Sequence, residues 1–489
     1  MGDGAAEPME TSDGLHETAS SSPKSAPRAL LIQPPVYDAA LYDLFHQPFG
    51  LLRIGEWLLR SGYRVELLDC LDPRARSAAA GRGRFIRKVV ETPAVLRSLG
   101  RRFARYGRPD PEIRGLLRAA RPDVVLVTTG MTYWYPGVRE IGRLIREEAP
   151  GVPVIAGGIY ATLMPDHCAE QLETDGVVRG AASHLERRID GTDGARRELP
   201  GSAGAPRAGG LAAALADVDL PAPAGSLPYQ PSVRLRAGSG RLRDAAAIRL
   251  HEGCTHRCAY CASPVITPRF LAGHAGALLA HIGELHDRFG MRTFAFYDDA
   301  LLERSREGLM PFLEGVVATF GERAMEFYLP NAVHMDLLDE DSAALMYRAG
   351  FREVRFGLES AEEGFHSTLD RKLSLNRLAH TVGLLKQADF TGGEITAYVM
   401  LGLPGQAFAT VRETLDTVEG LGIGASVAEY SPVPGSRLFD EAAAASGLDL
   451  TEPLLHNNSA FSLLSGFVAP KELTEAKTRA RTIRRAMMK

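Results

Sequence analysis

Cysteine is scarce, with five in 489 residues. That is too few and too scattered for a disulfide framework. Charge of either sign is not in excess: Lys+Arg 56 against Asp+Glu 60 leaves a formal net charge of −4. A dedicated nucleic-acid binder is therefore not indicated, although a local basic patch stays open. No run approaches the roughly 18 uninterrupted apolar residues of a membrane span. The start has neither a basic end nor the apolar core of a secretory signal, which points to the cytosol, where thiols stay reduced. What remains is ordinary for a globular chain, with 45% hydrophobic and 24% charged residues. At about 150 residues per domain the length suggests two to three domains.

Residues 1–27 are rich in Ser, Ala, Gly and Glu and read as a disordered tail. From Ala29 short apolar runs alternate with amphipathic stretches. The runs are ALLIQPP (29–35), RVELLD (64–69), DVVLVTT (123–129), PVIAGG (153–158) and GVVRG (176–180). Fully apolar strands between helices predict a parallel sheet covered on both faces, in an open Rossmann-like or flavodoxin-like domain over 28–182. A basic segment, 74–121, interrupts the alternation and is expected to be a helical insertion. It reads first as a solvated cover, and otherwise as a phosphate-binding surface for RNA or a cofactor's nucleotide tail. Residues 183–243 form a Gly-, Ala-, Pro- and Arg-rich linker.

A second series follows over 244–433: AAIRLHE (246–252), TFAFYDD (293–299), MEFYLPN (325–331), EVRFGLES (353–360), EITAYVMLGL (394–403) and ASVAEYSP (425–432). Six βα units in a row predict a barrel or partial barrel, with chemistry at the carboxyl ends of the strands. A C-terminal extension, 434–489, ends in a basic helix over 471–488.

Three of the cysteines fall at the end of the first strand of that series, as Cys254-Thr-His-Arg-Cys258-Ala-Tyr-Cys261. Three thiolates on one loop suit three irons of a [4Fe–4S] cluster and leave one iron without a protein ligand. A structural Cys3His zinc site with His251 or His256 is the alternative. A core-bearing α/β domain has little need of such a staple. Cys70 and Cys168 read as inert buried thiols.

These residues resemble the radical S-adenosylmethionine (SAM) enzymes, whose CxxxCxxC loop carries an aromatic, here Tyr260, before its third cysteine. The resemblance implies a partial (β/α)6 TIM-type barrel. It implies a cluster on Cys254, Cys258 and Cys261 that cleaves SAM to a 5′-deoxyadenosyl radical. It implies SAM contacts at Asp298 or Asp299 in FYDDALL, at Glu359 and Ser360 in GLES, and at Gly402 and Gly405 in YVMLGLPGQ. Asp299 reads equally as a helix cap, and the glycines as an ordinary strand-to-helix turn. The Rossmann-like domain ahead of the barrel resembles the cobalamin-binding subgroup. That subgroup places Gly157, Gly158, Thr128, Thr129 and Gly130 beside the nucleotide tail of cobalamin. Tyr133, Trp134 and Tyr135 would flank the corrin or fill space. The D-x-H-x-x-G motif is absent, since His46 follows Asp43 at the wrong spacing. The subgroup often lacks that ligand.

The implied activity is cobalamin-dependent C-methylation of a small-molecule, natural-product-like substrate, with a reductant such as flavodoxin or ferredoxin. No residue is named as a substrate acid or base. Asn331, Tyr430 and the stretch His456–Ser459 are possible substrate contacts. Alternatives are a cobalamin-free radical SAM rearrangement or C–H functionalisation, and, in another class, a zinc-stabilised RNA-binding protein. Methylthiolation of tRNA fits less well, because two remaining cysteines cannot ligate a second cluster.

Overall fold

The computed structural model describes residues 26–72, 74–77, 82–180, 245–370 and 375–488. The tail and linker expected at 1–27 and 183–243 lie outside these, apart from residues 26 and 27.

Five parallel strands build the N-terminal sheet: β1 (Arg28–Gln33), β2 (Arg64–Asp69), β3 (Val124–Thr129), β4 (Val154–Gly158) and β5 (Gly176–Val177). Their spatial order is β5-β4-β3-β1-β2. This is the flavodoxin-like order, whose direction reverses between β1 and β3 and opens a crevice there. Helices α1 (Phe49–Arg60) and α2 (Tyr135–Glu148) connect into it. Each presents an apolar stripe: Leu51, Leu52 and Leu58 on α1, and Val138, Ile141 and Ile145 on α2, are all buried.

The basic insertion is not mainly helical. It contributes strands Arg74–Ser77, Arg82–Phe85, Arg87–Val90 and Phe103–Tyr106 to two small antiparallel sheets, and only Asp110–Ala120 is α-helix. Short alternating runs such as RARS and RGRF have the period of a strand. Arg105 pairs with Glu140, and Arg114 with Asp110, Glu147 and Glu148, so part of the positive charge is matched by Asp110 and by the neighbouring helix α2.

The second series also forms parallel strands: β6 (Ala245–Ile248), β7 (Thr293–Phe296), β8 (Glu326–Tyr328), β9 (Val354–Glu359), β10 (Ile395–Leu401) and β11 (Gly424–Glu429). They make two three-stranded sheets, β6-β7-β8 and β9-β10-β11. Single parallel bridges, Phe327 to Phe351 and Val333 to Phe356, join the two at β8 and β9. The six strands thus follow chain order, as a partial barrel requires, with β6 and β11 as the edges among the described residues. Phe296 stacks on Phe351 at 5.7 Å and Phe327 meets it at 5.4 Å, packing the seam with aromatic rings.

The C-terminal extension joins both halves. Leu454 and Ala460 sit in the N-terminal core, Phe461 packs on Tyr430 at 5.8 Å, and helix Pro470–Met487 lies along β11.

Candidate functional site

The cysteine loop leaves β6 through a short pinned segment. Glu252 and Leu271 form an isolated antiparallel bridge. Gly253 then turns at φ +82°, where a Cβ would lie 2.7 Å from the Arg269 carbonyl oxygen. Only glycine suits both demands. Cys254 and Cys258 are buried and Cys261 is half-buried. Ala259 at the centre of the loop is held on both sides: its N–H donates to Leu369 O at 2.7 Å, and its carbonyl accepts from Leu438 N–H at 2.9 Å.

Among the described residues, no three His, Cys, Asp or Glu side chains converge where one metal ion could sit. A zinc site needs four donors at one point, whereas an iron–sulfur cluster takes each thiolate at a different iron. His251 accepts from Gly273 N–H through Nδ1 and packs over Gly308. Burial lowers its pKa to about 4. The His256 and His334 rings meet at a tilt with centroids 4.1 Å apart, and His334 Nε2 lies 3.9 Å from Cys254 Sγ. The donor set of three thiols on a loop at a strand end fits a cluster.

Tyr260 and Glu359 meet beside this loop. The Tyr260 hydroxyl donates toward Glu359 Oε1 at 3.4 Å and Asp370 Oδ2 at 3.3 Å. Burial and the neighbouring carboxylates raise its pKa. Glu359 has φ +65°, and the β9–β10 register shifts between Gly357 and Glu359. A non-glycine residue held there is strained, and such strain concentrates at functional sites. Ser360 is turned inward: its hydroxyl accepts from Glu362 N–H and its carbonyl faces His366 Nε2.

The two aspartates after β7 separate. Asp298 accepts from the backbone N–H groups of Leu250 and His251, so its carboxylate braces the approach to the cysteine loop. Burial raises its pKa to about 7 against the pull of those N–H groups. Asp299 instead lines the cavity described below.

The glycine motif after β10 is also self-contained. Gln406 accepts from Gly402 and Leu403 N–H and donates to Met400 O. Gly402 has φ +90°, and a Cβ there would stand 2.5 Å from Ser462 Oγ. That glycine is required by packing of the C-terminal extension. At Gly405 only the φ of +72° demands glycine.

Between the two domains lies a cavity of about 690 Å³. Thr128, Thr129, Gly130, Gly157 and Gly158 all line it, at the carboxyl ends of β3 and β4. Arg249, Asp299, Pro330 and Asn331 line it from the barrel strand ends. Gly157 forms an open cradle, since a Cβ there meets nothing nearer than Val178 O at 3.9 Å. Gly158 is a turn, with φ +103° and a Cβ position 2.3 Å from Thr129 O. A flat, tailed cofactor suits this crevice and cradle.

Trp134 stands on the cavity wall, and its Nε1 donates to buried Asp38 at 2.8 Å. Asn457 of the C-terminal extension donates to the other Asp38 oxygen at 3.0 Å. Tyr135 faces the core instead. His46 also lines the cavity, despite its unpromising sequence spacing. Of the loose substrate candidates, Asn331 reaches the cavity. Tyr430 is buried, and the His456 ring bonds Thr132 and Leu450 O.

Sequence reasoning missed Asp38, His334, His366, Asp370 and Gln406. Only the i, i+4 spacing of His366 and Asp370 just after GLES offered a signal.

The comparisons agree with this architecture. The B12 binding domain family matches residues 102–189, and the Radical SAM superfamily matches residues 248–418. The chain thus carries a B12 binding domain followed by a radical SAM domain. It is 23% identical over 445 residues to cytidylyl-2-hydroxyethylphosphonate methyltransferase of Streptomyces wedmorensis, covering 81% of this chain and 77% of that one. In fold it resembles the radical SAM methyltransferase TsrM of Kitasatospora setae, solved with tryptophan and a SAM analogue. The TM-score is 0.59 and the identity 17%, over 86% of this chain and 76% of that one. TsrM with cobalamin and a [4Fe–4S] cluster gives a TM-score of 0.56 at 18% identity over the same shares.

Proposed function

We propose that this enzyme methylates a carbon of a small-molecule substrate, using cobalamin as methyl carrier. One observation carries the reading: the cobalamin-type crevice and the barrel strand ends open into a single cavity. When bound, the cluster and SAM supply a 5′-deoxyadenosyl radical, and cobalamin supplies the methyl group.

The chain's own residues do the placing. Cys254, Cys258 and Cys261 would hold the cluster, which supplies the electron for cleavage of SAM. Glu359 and Tyr260 face SAM from the end of β9 and from the loop. Thr128, Thr129, Gly130 and Gly157 line the path of the cobalamin tail, and Trp134, fixed by Asp38, walls the corrin. Gly158 makes the turn that lets the chain pass. Asp299 and Asn331 offer polar contacts to the substrate from the barrel side. An electron comes from a reductant such as flavodoxin or ferredoxin. The reading places the enzyme in the cytosol, where thiols stay reduced. Among the described residues no helix is long and apolar enough to cross a membrane.

The test uses SAM labelled in its methyl group, with cobalamin, reductant and anaerobically reconstituted enzyme. The reading expects 5′-deoxyadenosine and label on the corrin. SAM cleavage with no corrin retained would favour the cobalamin-free alternative.

A further inference from the structure

Behind the strained Glu359 lies a buried pair that none of these steps uses. His366 and Asp370 sit one π turn apart, in the segment His366–Asp370. Their side chains are 5% and 0% exposed. His366 Nδ1 is 2.9 Å from Asp370 Oδ1, and Nε2 is 2.7 Å from the Ser360 carbonyl oxygen. The Ser360 carbonyl only accepts, and so does Asp370 as a carboxylate. A neutral imidazole donates from one nitrogen, so the imidazolium alone satisfies both contacts. Burial opposes that charge, yet Asp370, the Ser360 carbonyl and Glu359 together raise the His366 pKa.

The pair belongs to a closed ring. From His366 it runs to Asp370, whose second oxygen accepts the Tyr260 hydroxyl. Tyr260 also reaches Glu359, and Glu359 is bonded through the chain to Ser360, which returns to His366. The ring therefore ties the end of β9 to the cysteine loop, one residue before Cys261. The Asp370 carbonyl also lies 4.0 Å from Cys258 Sγ.

We propose that His366 is a positioning residue for SAM: it fixes the spacing between Glu359 and Tyr260, so that their polar groups stand ready to receive the nucleoside. This rests on the reading of Glu359 and Tyr260 as SAM contacts.

The experiment compares the full-length wild type with His366→Phe, His366→Gln and Asp370→Asn, each reconstituted anaerobically. Iron per chain, thermal midpoint, the SAM dissociation constant and the SAM-induced change in the electron paramagnetic resonance spectrum of the reduced cluster are measured. The expected result is wild-type iron in every variant, with SAM bound about tenfold more weakly or worse by His366→Phe and Asp370→Asn. His366→Gln, which keeps one donor, falls between. If His366→Phe does not fold, the isosteric Asp370→Asn decides. Folded, iron-loaded variants that bind SAM as wild type does would overturn the proposal. Loss of iron in every variant would also overturn it, assigning the ring to cluster assembly. A wild type that holds iron but binds no SAM removes the underlying reading, and the proposal with it.

Discussion

Arg53 and Glu252 form a buried ion pair across the domain boundary: Nη1 lies 2.8 Å from Oε2, and each side chain is 6% exposed. Arg53 stands on α1 beside the cavity, and Glu252 lies two residues before Cys254. The contact couples the cobalamin-type domain to the root of the cysteine loop. Breaking such a pair leaves an uncompensated buried charge and costs about 3–5 kcal/mol, whereas replacing both partners with apolar groups is close to neutral. Arg53→Met should lower the urea midpoint strongly, and Arg53→Met with Glu252→Leu should recover most of it. Equal loss in the single and double variants would contradict this coupling.

The two glycines at the end of β4 should respond differently. A Cβ at Gly157 meets nothing nearer than Val178 O at 3.9 Å, so the side chain of Gly157→Val starts in ordinary contact and grows into the cradle. The variant should leave the fold intact and weaken cobalamin retention roughly tenfold, as overpacking does. Gly158→Ala forces a Cβ onto Thr129 O at φ +103°, and should destabilise the domain itself. Thermal unfolding and corrin absorbance after gel filtration separate the two effects. Cobalamin held equally well by Gly157→Val would remove that residue from the site.

Gly402 tests packing against ligand approach. With a Cβ position 2.5 Å from Ser462 Oγ and φ +90°, Gly402→Ala should cost about 1–3 kcal/mol of stability even without SAM. Adding Ser462→Gly should return the part due to the clash. Unchanged stability in Gly402→Ala would mean that the glycine serves only a ligand.

Two buried histidines set an acid limb. Burial lowers the pKa of both His251 and His456 to about 4 from an ordinary 6.5. Between those values the unfolded chain binds more protons, so their contribution is full above about 6.5 and is lost as pH falls toward 4. His366 and Asp298, whose folded values are raised, work in the opposite sense. Their contributions fade as pH rises through those values. The difference between wild type and His456→Gln isolates one site: the variant's thermal midpoint should fall less between pH 6.5 and 4.5. Parallel curves would contradict this assignment.

Much of the architecture was legible because parallel strands covered on both faces read as continuous apolar runs, such as LLI in β1 and VVLV in β3. The cysteine spacing is an equally local signal, and Thr128, Thr129, Gly130, Gly157 and Gly158 follow strand ends β3 and β4 to the cavity. The basic composition of 74–121 does not reveal its strands, because they are only four residues long and pair within two small sheets. Asp298 and Gly402 carry motif identities, but their surroundings come from distant segments: the Leu250–His251 backbone and Ser462. Asp38 gains its meaning only from Trp134 and Asn457, which approach from far along the chain. No periodicity records such contacts.

The most direct test is the metal content of the cysteine loop. Iron, sulfide and zinc are counted per chain after anaerobic reconstitution, in wild type and in the triple variant Cys254→Ala, Cys258→Ala, Cys261→Ala. The account predicts about four irons per wild-type chain with a broad band near about 400 nm, and neither in the variant. A colourless wild type with one zinc, or a triple variant that keeps its iron, would contradict it.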